Sequence, residues 1–182
     1  VHKTHARPHR RRHPVRAAWW YFNAAQQGEE LAALHLGVMY RAGHGVTRDL
    51  EQARYWFGQA AADGNAMAQF NLGVMQVLGE GTPADPVAAA AWFRKAAQQR
   101  LPAAEAQLGY AYLIGRGVGR DPLQALHWLR RAANQGEASA LANLGDMAEH
   151  GRAMPRDPVL ACLLYSAAGV AGQPIALKER RR

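Results

Sequence analysis

The sequence predicts an all-α fold, a solenoid in which short antiparallel helix pairs stack one on another. Three observations predict it. Leucine-glycine, aspartate, tryptophan and paired-alanine positions recur at one interval of 36 residues. Alanine, the strongest helix former, supplies 38 of the 182 residues, and β-branched residues are few. Glycines and Asp-Pro pairs fall where helices of that length must end and begin.

The interval holds in many columns at once. Gly37, Gly73, Gly109 and Gly145 are each 36 apart, and each follows a leucine. Asp49, Asp85, Asp121 and Asp157 keep the spacing, as do Ala53, Ala89, Ala125 and Ala161, with Ala17 one period earlier. Trp20, Trp56, Trp92 and Trp128 follow, with Leu164 in the fifth place. Paired alanines recur at 24–25, 60–61, 96–97 and 132–133. Such a period is the signature of stacked supersecondary units that cannot bury their apolar faces alone.

Taken in chain order, residues 1–12 read as a basic, His- and Arg-rich tail, flexible and outside the pattern. Residues 13–27 read as a half-unit with a second helix only, with His13-Pro14 in the place of Asp-Pro and then Ala17, Trp20 and Tyr21. Units 28–63, 64–99, 100–135 and 136–171 read as complete helix pairs, and 172–182 as a partial capping helix with a basic end. Unit 64–99 shows the chemistry. After Gly64, the run Asn65 to Leu78 sets Ala68, Leu72 and Met75 on one stripe, spaced four then three. Gly79 and Gly81 end that helix. Asp85 caps the free amides of the next one and Pro86 suits its first position. Ala89, Trp92, Phe93, Ala96 and Ala97 then form its apolar face. Glycine behind each leucine, with alanine opposite, lets the paired helices approach, while Trp and Phe fill the space between one pair and the next. Arg100 stands where other units have Gly64, Gly136 and Gly172, so its turn is expected to be strained.

These residues are similar to the Sel-1-like repeat family, a relative of the tetratricopeptide repeat. The resemblance rests on Ala68-Gln69-Phe70-Asn71-Leu72-Gly73-Val74-Met75, Gly79-Glu80-Gly81, Asp85, Ala89, Trp92-Phe93 and Ala96-Ala97, and on Gly115-Arg116-Gly117-Val118 with Asp121. It covers residues 14 to about 176. Tyr40 and Tyr112 keep the family's tyrosine, whereas Gln76 and Ala148 replace it, and Gly151-Arg152-Ala153-Met154 lacks the second glycine. The resemblance implies a right-handed, tetratricopeptide-like superhelix and an adaptor role: a non-enzymatic scaffold that binds a protein or peptide on its concave surface.

In stacked hairpins the first helices line the inner surface. Beside the core stripe runs a second stripe: Leu31, His35, Val38, Ala42; Met67, Asn71, Val74, Leu78; Ala103, Gln107, Tyr110, Ile114; Ser139, Asn143, Asp146, His150. His35, Asn71, Gln107 and Asn143 are polar in every unit, and either hydrogen-bond an extended partner or bond within the scaffold. Tyr110 and Asp146 stand where Val38 and Val74 stand elsewhere. His35, Asn71, Gln107, Tyr110, Asn143 and Asp146 are therefore the candidate partner-binding residues.

Catalytic, cofactor and metal sites are not expected. No Ser-x-x-Lys occurs, since Ser139 and Ser166 are the only serines. The paired cysteines of the family's cysteine-rich branch are missing, and lone Cys162 is expected to be buried and inert. Gly115 to Gly119 follows a helix and lacks the Gly-Lys-Ser/Thr of a phosphate loop. The four aspartates each serve as a cap. The tryptophans at 20, 56, 92 and 128 are expected in the core.

The net charge of +8 is concentrated at the ends. Residues 1–16 carry six basic side chains and no acidic one, and residues 178–182 carry four and one. Residues 17–177 hold 12 basic and 13 acidic residues, which excludes a broadly basic nucleic-acid-binding body. Association of the tails with nucleic acid or anionic membrane is the alternative reading, and it would be salt-sensitive. His2, His5, His9 and His13 are helically spaced, but Pro8 and Pro14 interrupt a continuous metal-binding face. No apolar stretch follows the arginine run, so neither a signal peptide nor a membrane span is expected, and the chain reads as soluble, cytoplasmic or periplasmic if bacterial. Val1 in the first position leaves a processed form or part of a longer chain open. Self-association through the ends of the array is a further expectation.

Overall fold

The computed structural model describes residues 12–172. Among them are nine helices and no strand, in the order α1 (Arg12–Gln26), α2 (Glu30–Ala42), α3 (Leu50–Ala62), α4 (Ala66–Leu78), α5 (Pro86–Gln98), α6 (Pro102–Ile114), α7 (Pro122–Ala133), α8 (Ala138–His150) and α9 (Pro158–Val170). The basic residues before Arg12 and after Gly172, with the tail histidines and the capping helix read there, lie outside the described residues.

Helices pair as α2–α3, α4–α5, α6–α7 and α8–α9, and each pair packs on the next through a second helix against a following first helix. This is the all-α solenoid the period predicts. The helix starts follow the predicted capping chemistry. Asp49, Asp85 and Asp121 each accept hydrogen bonds from two backbone amides at 3.0–3.1 Å, and Asp157 accepts one from Leu160 at 2.9 Å. Pro86, Pro122 and Pro158 sit in the first turn of their helices.

The core stripe on the first helices is buried in all four pairs: Ala32, Leu36 and Met39; Ala68, Leu72 and Met75; Ala104, Leu108 and Ala111; Ala140, Leu144 and Met147. The glycine behind each leucine has a more specific job than the sequence suggested. A Cβ on Gly37, Gly73, Gly109 or Gly145 would stand 2.4, 2.6, 2.7 or 2.8 Å from Phe57, Phe93, Leu129 or Tyr165 respectively. The large residue that follows each Trp column (or Leu164) therefore plugs into the glycine of its own hairpin. Phe57, Phe93 and Leu129 also pack against the following hairpin, in clusters with Leu72, Leu108 and Leu144 respectively.

Two expectations need correction. Trp20 is 61% exposed, because α1 has no first helix before it among the described residues, and Trp19 meets it edge-on with ring centroids 4.7 Å apart. The rest of the column meets the expectation: Trp56 is buried, and Trp92 and Trp128 are half-buried and packed against the core beneath Lys95 and Arg131, whose cationic groups stand 4.3 and 4.8 Å from the ring centroids. Cys162 is exposed, since position 162 turns away from the buried Ala161 and Tyr165 face of α9. The expected strain is present: Arg100 holds φ +63°, the left-handed region that Gly64 and Gly136 occupy at the equivalent turns.

Candidate functional site

The six candidate residues all lie on first helices, one helical step from the buried stripe, so each keeps access to the surface of that face. His35, Gln107 and Tyr110 are exposed, and Asn71, Asn143 and Asp146 are half-buried. Their neighbourhoods differ. His35 stacks on Tyr21 of α1, with ring centroids 4.8 Å apart. Asn71 donates to the carbonyl of Met67 at 2.8 Å and accepts from Arg41 Nη1 at 3.5 Å, so part of its capacity is spent in the scaffold. Asp146 accepts from Arg152 Nη1 at 2.7 Å and lies 3.1 Å from His150 Nδ1. Gln107 and Tyr110 share a cleft.

The same face carries exposed apolar side chains at Leu31, Val38, Met67, Leu78, Tyr110 and Ile114. They come from the stripe that varies between units. The first helices α6 and α8, which are not consecutive in the chain, contact each other directly.

The sequence stripe included Val38, Asn71, Gln107, Tyr110 and Ile114 but not Arg41, Glu80, Val77 and Arg116, which set the charge of the gaps between first helices. Between α2 and α4 the gap is lined by Val38, Arg41, Ala42, Asn71 and Glu80. It is crossed by an ion pair, Arg41 Nε to Glu80 Oε2, at 2.6 Å. Between α4 and α6 the gap is floored by Phe93 and Ala89 of α5 and walled by Val77, Tyr110 and Ile114, with Gln107 and Arg116 at its rim. The signal was available in the columns, since Arg41 and Glu80 become Val77 and Arg116 one period on. Its meaning needed the spatial pairing of two residues 39 apart.

Among the described residues no group of three or more His, Cys, Asp or Glu side chains could hold a metal ion, and no helix is long and apolar enough to cross a membrane.

The Sel1 repeat model matches residues 12–29, 31–65, 66–101, 102–137 and 138–169. Solved structures are similar along nearly the whole chain. A protective antigen of uropathogenic Escherichia coli displaying an SLR fold is 34% identical, with a TM-score of 0.83 over 91% of this chain and 36% of that one. A Sel1 repeat protein from Oxalobacter formigenes is 36% identical, with a TM-score of 0.79 over 90% of this chain and 47% of that one. An immunity protein from Pseudomonas aeruginosa shares the fold at 24% identity, with a TM-score of 0.62 over 90% of this chain and 61% of that one. The chain thus spans less than half the length of the first two. No curated protein matches it. Five matched repeats, in phase with the helix pairs, place the chain in the Sel1 repeat family, whose members are generally protein-interaction scaffolds.

Proposed function

We propose that the chain is a non-enzymatic scaffold that holds a protein or peptide partner along its first-helix face, the concave side of the stack. One observation carries this reading. On the first helices the core stripe is buried, while the stripe beside it reaches the surface with Leu31, Val38, Met67, Leu78, Tyr110 and Ile114 exposed. Single exposed apolar side chains are ordinary, but a row of them aligned across successive helices marks an interaction surface. Interleaved polar side chains supply orientation, because their donors and acceptors satisfy the backbone of an extended segment. The partner touches His35, Asn71, Gln107, Tyr110, Asn143 and Asp146.

The test is a photo-crosslinking residue at Gln107, compared with one at Gln124 on a second helix, in cells that make the protein. Protein adducts are expected from position 107 alone. The partner so identified should bind Tyr110→Ala and Asp146→Ala roughly tenfold more weakly. Equal adducts from both positions, or unchanged affinity for both variants, would overturn the proposal.

A further inference from the structure

The gap between α4 and α6 differs from its neighbours in one respect. In the preceding gap the turn residue Glu80 is neutralised by Arg41. In the following unit the turn residue Arg152 is neutralised by Asp146 at 2.7 Å. Arg116 occupies the same column, one period after Glu80 and one before Arg152, yet no carboxylate among the described residues forms an ion pair with it. Val77 stands where Arg41 would have bridged. The result is an apolar cleft, floored by Phe93 and walled by Val77, Tyr110 and Ile114, with a free guanidinium and the Gln107 amide at its mouth.

The geometry points to a socket for a peptide segment that presents an apolar side chain next to an aspartate or glutamate. The apolar side chain enters between Val77 on one wall and Tyr110 and Ile114 on the other, where it exchanges water for carbon surface. The carboxylate pairs with Arg116, whose planar fork suits bidentate recognition. Gln107 reaches the segment's backbone. The inner face continues past the cleft in both directions, toward Val38 and toward Asn143, so a bound segment runs on and the carboxylate is a side chain within it. This inference rests on the concave-face reading and assigns that face its anchor.

The probe is a display library of random twelve-residue segments flanked by Gly-Ser, selected against the whole chain. Segments with an apolar residue adjacent to Asp or Glu are expected to be enriched. Val77→Arg combined with Arg116→Glu rebuilds, one period on, the ion pair that closes the preceding gap. It should lower the affinity of the selected segments roughly tenfold with helix content unchanged. Arg116→Glu alone should turn the preference toward Lys and Arg. Segments lacking the acidic–apolar pair, or segments that bind the closed variant equally while losing affinity to Asp146→Ala, would overturn the socket and leave the concave-face reading standing. Selection of no segment at all would overturn both. A shift from dimer to monomer in the closed variant, with no acidic–apolar enrichment, would assign the cleft to a second copy of the chain and likewise overturn the proposal.

Discussion

Gln135 Nε2 donates to Glu105 Oε2 at 2.8 Å, tying the end of one hairpin's second helix to the start of its first. One period earlier Gln99 donates to Gln69 Oε1 at 3.0 Å in the same two columns. The neutral pair of one unit becomes a charged one in the next, and Glu105 is fully buried. Arg131 Nη2, 2.6 Å from Glu105 Oε1, supplies the compensating charge while its guanidinium covers Trp128. A buried carboxylate with one cationic partner is tolerated only while that partner stays.

Arg131→Met should therefore destabilise the fold by about 3 kcal/mol. That is the low end for a broken buried pair, because Arg131 keeps 35% of its side chain in solvent. Adding Glu105→Gln, which copies Gln69, should recover most of the loss. Urea unfolding of both variants checks this, and equal stability of single and double variants would contradict it.

Gly73→Ala should destabilise despite the better helix propensity of alanine. Its Cβ would stand 2.6 Å from the Phe93 ring, which is closed in by the core. Overpacking of this kind costs about 1–3 kcal/mol. With Phe93→Leu the two effects should be less than additive, and thermal unfolding of the cycle reads the coupling.

Arg100→Gly should stabilise by about 0.5–1 kcal/mol. Relief of the left-handed strain at φ +63° exceeds the extra freedom that glycine gives the unfolded chain. A lowered urea midpoint would contradict it.

Asp121→Ala should cost about 1 kcal/mol, since the Leu123 and Gln124 amides lose their acceptor, and Asp121→Asn should cost less. Amide exchange in the first turn of α7 should accelerate in the alanine variant before global stability changes appreciably.

How much of this was readable from the chain depends on the distance over which each feature is decided. The helix pairs, the aspartate caps, the buried stripe of Ala68, Leu72 and Met75, and the strained turn at Arg100 follow from residues within a helix turn or from a repeated column. Both are local properties, and periodicity multiplies the signal. The surface stripe with Asn71, Gln107 and Tyr110 was also legible, because it lies one helical step from the core. Glu105 looked like any surface glutamate, since its burial depends on Gln135 and Arg131 arriving from the next helix. Trp20 matched its column and is still exposed, because burial requires a neighbouring first helix and none precedes α1 among the described residues. Arg116 reads as one more turn cation until the gap beneath it is seen to lack the bridge that Arg41 and Glu80 make.

The order of residues along the chain thus determined the helices, their pairing and the face each turns inward, all set by backbone chemistry and side-chain spacing. Packing in three dimensions assigned the Phe57, Phe93, Leu129 and Tyr165 column to its glycines and buried one carboxylate beside its arginine. It also opened the cleft between α4 and α6. Close packing and charge compensation are relations between side chains distant in sequence, and they come into being only when the helices meet.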